Sequence, residues 1–145
     1  MPANYPARAN FVMQAKRNLL PLQERITLHC DGQKTLPGMP PSAPGHTVSH
    51  SSFIINPGKA QMCCIEDLAH RPVLLLERPR TQFAFDTDPV QSSESRVRMM
   101  DMLAANRVPL LAYHSAWPGV GHVVKAGDGF HYLPVAQALG DVAGL

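Results

Sequence analysis

One segment constrains this chain more than any other. It is "DPVQSSESRVRMMDMLAANR" (residues 88–107), a helix with its own start signal set between strand-like runs on both sides. Asp88 stands at the N-cap, Pro89 at the first helical position, and Gln91 three residues after the cap completes a capping box. Val90, Val97, Met100, Leu103 and Ala104 share one face of that helix, which predicts a stripe turned toward a core. Before it, "SSFIINPGKAQMCCIE" reads as a hairpin: a strand, a turn at Asn56-Pro57-Gly58, and a second apolar strand ending at Glu66-Asp67. After it, "VPLLAYH" is a short strand delivering His114, and "HVVKAGDGFHYLPV" is a closing hairpin about Gly127-Asp128-Gly129. Strands, a helix and strands again predict an α/β or α+β unit.

The first third of the chain is less regular. Phe11, Ala15 and Leu19 fall at helical spacing beside Val12, predicting an amphipathic helix over residues 7–20 that Pro21 stops. "RITLHC" (25–30) alternates like a strand and runs into a turn at Asp31-Gly32. The Pro-rich stretch at 37–44 reads as an ordered connection rather than a domain boundary, which predicts one unit over residues 1–145. With 45% hydrophobic and 17% charged residues, the chain is globular and not disordered.

Charge excludes some function classes. A net +2, with the basic residues scattered and no aromatic interleaving, argues against nucleic-acid binding. No run approaches the roughly 20 apolar residues that span a bilayer. The start of the chain has no signal-peptide core, which predicts a soluble cytoplasmic protein with no membrane contact. Cys30, Cys63 and Cys64 include an adjacent pair and no C-x-x-C, so buried reduced thiols are expected rather than disulfides or a zinc knuckle.

Chemistry concentrates where apolar runs end. His46 follows Pro44-Gly45, Asp67 follows "MCCIE", and His114 follows "LLAY". Imidazole and carboxylate are zinc ligands, and sites built from several strand ends are typical of enzymes, although these separations form no local motif. His50 lies four residues after His46. On a strand the two side chains would stand roughly 13 Å apart, too far to share an ion, so His50 is read as structural. His29 and His131 are read as ordinary strand histidines, and Tyr113 as a packing residue.

These residues also carry a resemblance. The ordered series "LPGMPPSAPGHTVSH", "CCIEDLAH", "FAFDTDPVQSSESRVRMMDMLA" and "YHSAWPGVGHVVKAGDGFHYLPV" is similar to the C-terminal half of metallo-β-lactamase-fold hydrolases, nearest the methyl parathion hydrolase branch. The resemblance implies half of an αββα sandwich, a mixed sheet with flanking helices. It also implies a zinc hydrolase of ester, lactone or phosphotriester type, in which a metal-bound hydroxide attacks the substrate. His46 then corresponds to a ligand of the first zinc, Asp67 to the carboxylate bridging two ions at the catalytic centre, and His114 to a ligand of the second. His70, Trp117 and His122 correspond to positions lining the substrate pocket or supporting ligands from outside.

Two departures from the family pattern matter. The family's H-x-H-x-D-H, which supplies most of the ligands, is absent, since no two of the seven histidines are two apart. Glu66 stands where the family usually has glycine. The chain is therefore expected to be an incomplete fragment, binding one or two zinc ions weakly or not at all. It would be inactive, or active only with the missing N-terminal half. The alternative is a non-catalytic remnant or partner-binding α/β module. Half of a two-sheet domain leaves an apolar face uncovered, which predicts a homodimer, a complementing partner or marginal stability.

Overall fold

The computed structural model describes residues 7–30, 33, 42–56 and 60–135. Helix α1 spans Ala7–Leu19 and passes into a 3₁₀ turn over Leu20–Arg25. Among the described residues five strands follow: β1 (Phe53–Ile55), β2 (Met62–Cys64), β3 (Leu110–Leu111), β4 (Val120–Ala126) and β5 (Gly129–Pro134). Helix α2, Pro89–Asn106, joins β2 to β3. The strands form one mixed sheet in the order β1-β2-β3-β4-β5, in which only β2 and β3 run parallel. A parallel pair needs a long crossover, and α2 is that crossover. The fold is the expected α/β unit, one mixed sheet with flanking helices.

Helix α2 starts as its signals predict, with the Asp88 carboxylate accepting from the Gln91 backbone N–H at 3.0 Å. It buries Met99, Met100 and Leu103 against Cys63, Ile65, Leu110, Ala112, Val123 and Phe130 of the sheet side. Its first two turns behave differently. Ser92, Ser93, Ser95 and Arg96 are buried there, while Val90, expected on the core face, is 53% exposed. The correction has a steric cause. The Pro44-Gly45-His46 turn lies directly across these turns of α2, where only small side chains leave room for another backbone.

Other expectations are also corrected. Residues 26–30 form no strand, because among the described residues no neighbouring strand pairs with them, and the turn proposed at Asp31-Gly32 lies outside the described residues. Pro57 and Gly58 of the first hairpin turn lie outside them too, although β1 and β2 pair antiparallel as predicted. Cys63 and Cys64 are buried, but Cys30 is exposed. Among the described residues, no helix is long and apolar enough to cross a membrane.

Two apolar surfaces remain uncovered among the described residues. The strand register places Phe53, Ile55, Val124 and Leu133 on the sheet face opposite α2, and each is at least 40% exposed. On α1, Phe11, Val12 and Leu19 are likewise exposed. The amphipathic helix forms, yet its apolar stripe packs on nothing described.

Candidate metal centre

The first histidine is positioned by backbone. Gly45 has φ +131°, and a Cβ there would lie 2.1 Å from the Ser92 amide nitrogen. Only glycine permits this approach. The turn is then clamped: Asp88 and Thr87 N–H groups donate to the Gly45 and His46 carbonyls at 2.9 and 3.0 Å, and Ser95 Oγ donates to the Pro44 carbonyl at 2.8 Å. His46 Nδ1 donates to Asp86 Oδ1 at 3.0 Å. That bond leaves Nε2 with its lone pair facing Asp67 Oδ2, 3.7 Å away. A metal-binding histidine almost always shows this arrangement, one nitrogen free and the other donating to a carboxylate, a backbone carbonyl or a water.

Behind Asp86 stands Arg96, 1% exposed, with its guanidinium 3.6 Å from Asp86 Oδ2. Burial lowers the Arg96 pKa and the Asp86 charge opposes that. Arg96 also donates to the Leu68, Pro79 and Thr81 carbonyls at 2.8, 2.8 and 3.0 Å. One buried cation therefore holds His46 through Asp86, and holds Asp67 through the carbonyl of its neighbour Leu68. Sequence reasoning assigned neither Asp86 nor Arg96 a role. The available signal was the placement of Arg96 at i, i+3, i+4, i+7 with Met99, Met100 and Leu103, a cation on an apolar stripe.

Asp67 leaves β2 through a 3₁₀ turn, Glu66–Leu68, in which Glu66 adopts φ 51°. That is the left-handed region which glycine, the family's usual residue here, enters freely. The neighbouring Glu66 side chain, and after it Cys64, raise the Tyr113 pKa. Tyr113 is 58% exposed and is not the packing residue expected for it. Burial alone would raise the Asp67 pKa; the His114 hydrogen bond and the charges of His46, His70 and His114 outweigh it and lower it. His114 Nε2 lies 2.9 Å from Asp67 Oδ1.

His46, Asp67 and His114 thus converge. His70 joins them, with Nε2 3.8 Å from Asp67 Oδ1 and its ring stacked on His114 at 4.5 Å. The other two candidates lie elsewhere. Trp117 is 85% exposed and lines a groove of ≈ 410 Å³ with Ser115, Pro118 and Tyr132. His122 lines a groove of ≈ 720 Å³ between α2 and the β4–β5 hairpin.

The donor set fits zinc. One ligand atom each from His46, Asp67 and His70 lies within 4.8 Å of the others. Two ligands of one tetrahedral zinc stand about 3.3–3.4 Å apart, as bond lengths near 2.0–2.1 Å require. The observed separations, 3.7 Å from His46 Nε2 to Asp67 Oδ2 and 3.8 Å from His70 Nε2 to Asp67 Oδ1, each exceed that value by half an ångström at most, on the two different oxygens of the carboxylate.

His50 supports the same loop from inside. Its Nδ1 donates to the Ala43 carbonyl at 2.9 Å, and burial lowers its pKa below 6.5. As pH falls, the unfolded chain takes the proton first. His50 therefore contributes stability that is fully present above pH 6.5 and is lost progressively below it. Urea midpoints measured between pH 7.5 and 5.5 fall with pH, and fall less steeply in His50→Asn.

A scan against protein-family models and a search of the curated proteins find no match. Solved structures do match. The dizinc quorum-quenching lactonase AidC is 27% identical with a TM-score of 0.80, over 91% of this chain and 46% of its own. The hydrolase AbOPH, of the beta-lactamase superfamily, is 24% identical with a TM-score of 0.81, over 90% of this chain and 47% of its own. The chain spans about half the length of these structures. Over that span it has the fold of the metallo-β-lactamase-type hydrolases.

Proposed function

We propose that this chain is the C-terminal half of a divalent-metal hydrolase for lactones, esters or phosphotriesters, with His46, Asp67 and His114 as metal ligands. The observation that carries this reading is the convergence of these side chains from the Pro44-Gly45-His46 turn and from the segments that follow β2 and β3, with His46 Nδ1 anchored on a buried carboxylate. The dizinc lactonase among the structural neighbours supports zinc as the metal and a lactone as one substrate class. A divalent ion held there supplies Lewis acidity and lowers the pKa of bound water toward neutrality. Asp67, with its lowered pKa, stays a carboxylate at neutral pH. Asp86 keeps the His46 proton on Nδ1, so Nε2 remains a donor. The uncovered sheet face is the surface on which the missing half, or a second copy, would pack.

Zinc-loaded chain, alone and mixed with the N-terminal half of a related hydrolase, tests this on a chromogenic ester, a homoserine lactone and a phosphotriester. Hydrolysis is expected in the mixture and is lost in His46→Ala. A folded, zinc-loaded mixture inert on all three contradicts it. The half-length span favours a second reading, a non-catalytic remnant that packs on a partner. Zinc retained stoichiometrically through dialysis weighs against that alternative.

A further inference from the structure

We infer that His70 is a third donor to one ion held by His46 and Asp67, giving this chain a three-residue metal site of its own. The inference rests on the proposal that His46 and Asp67 bind metal. The sequence resemblance placed His70 in the pocket or outside the ligands, and the structure brings it inward. The 3₁₀ turn at Glu66–Leu68 reverses the chain so that residue 70 returns beside residue 67. His70 Nε2 then lies 3.8 Å from Asp67 Oδ1 and His46 Nε2 3.7 Å from Asp67 Oδ2, and one ligand atom from each of the three residues lies within 4.8 Å of the others.

His70 is also the more buried of the two remaining histidines, although its Nδ1 has no hydrogen-bond partner among the described residues. Its side chain is 18% exposed, against 42% for His114. Its ring packs against His46, Phe83 and His114 at centroid distances of 5.0, 4.7 and 4.5 Å. A donor confined this way loses little rotamer freedom on binding an ion. His114, hydrogen-bonded to Asp67 Oδ1, occupies the solvent side. Two imidazoles and a carboxylate with a fourth position open form a recognised zinc ligand set, that of sites which admit water or substrate.

Cobalt(II) titration of the whole chain tests this by visible and near-ultraviolet absorption. Wild type binds one ion per chain. His70→Ala, with its fold checked by circular dichroism, loses more than the roughly 10–100-fold in affinity that an outer-shell partner accounts for. His70→Cys adds a sulfur-to-cobalt charge-transfer band missing from wild type. An affinity loss within 100-fold in His70→Ala, with no new band in His70→Cys, overturns the inference and leaves the His46–Asp67 metal reading standing. A wild-type chain that binds no cobalt overturns both.

Discussion

Replacing Arg96 with methionine lowers the unfolding free energy by roughly 3–5 kcal/mol, the range for removing one partner of a buried ion pair. Methionine fills much of the volume, so the loss is electrostatic. The Asp86 carboxylate, 1% exposed, loses its cation, and the Leu68, Pro79 and Thr81 carbonyls lose their shared donor. Against a total stability of about 5–15 kcal/mol for an ordinary domain, much of the folded population disappears. Urea unfolding followed by circular dichroism measures the change. Arg96→Lys retains the charge but not the fork of donors, so its midpoint lies between the other two. Equal midpoints for wild type and Arg96→Met would show that the buried cation does not hold this framework together.

Gly45→Ala has the second large effect. A left-handed φ costs a non-glycine residue of order 1–3 kcal/mol, and forcing a methyl group into packed atoms adds typically 1–3 more. Here the obstructing atom is the Ser92 backbone nitrogen, which no rotamer change can move. The turn lifts from α2 and carries His46 away from Asp67. Stability falls by roughly 2–6 kcal/mol on those two contributions, and zinc affinity falls with it. Isothermal titration with zinc and urea unfolding of one preparation read both losses. An unchanged zinc affinity in Gly45→Ala would separate the turn from the metal centre.

Local chemistry was legible in the sequence and long-range packing was not. The α2 start could be read because Asp88, Pro89 and Gln91 act within one turn, and the β4–β5 hairpin because Gly127-Asp128 forms a two-residue reversal closed by the Ala126–Gly129 pair. Residues 25–30 show the reverse case: strand-like alternation yields no strand without a neighbour to complete its hydrogen bonds. Val90 and the buried serines of α2 show tertiary packing overriding periodicity, since the Gly45 turn excludes larger side chains there. At the site, His46, Asp67 and His114 stood out because each ends an apolar run. Asp86 and Arg96 did not, because their partners lie 40 and 28 residues away. His70 was placed in the pocket or outside the ligands because its approach to Asp67 depends on a 3₁₀ turn with a left-handed glutamate, a conformation glutamate does not advertise.

The most direct measurement is an anomalous difference map, collected at the zinc absorption edge, from crystals of the zinc-loaded chain. The predicted result is a peak within bonding distance of His46 Nε2 and an Asp67 carboxylate oxygen. Zinc found only at other side chains, or no peak between those two residues at full zinc loading, would contradict the metal centre and the hydrolase reading with it.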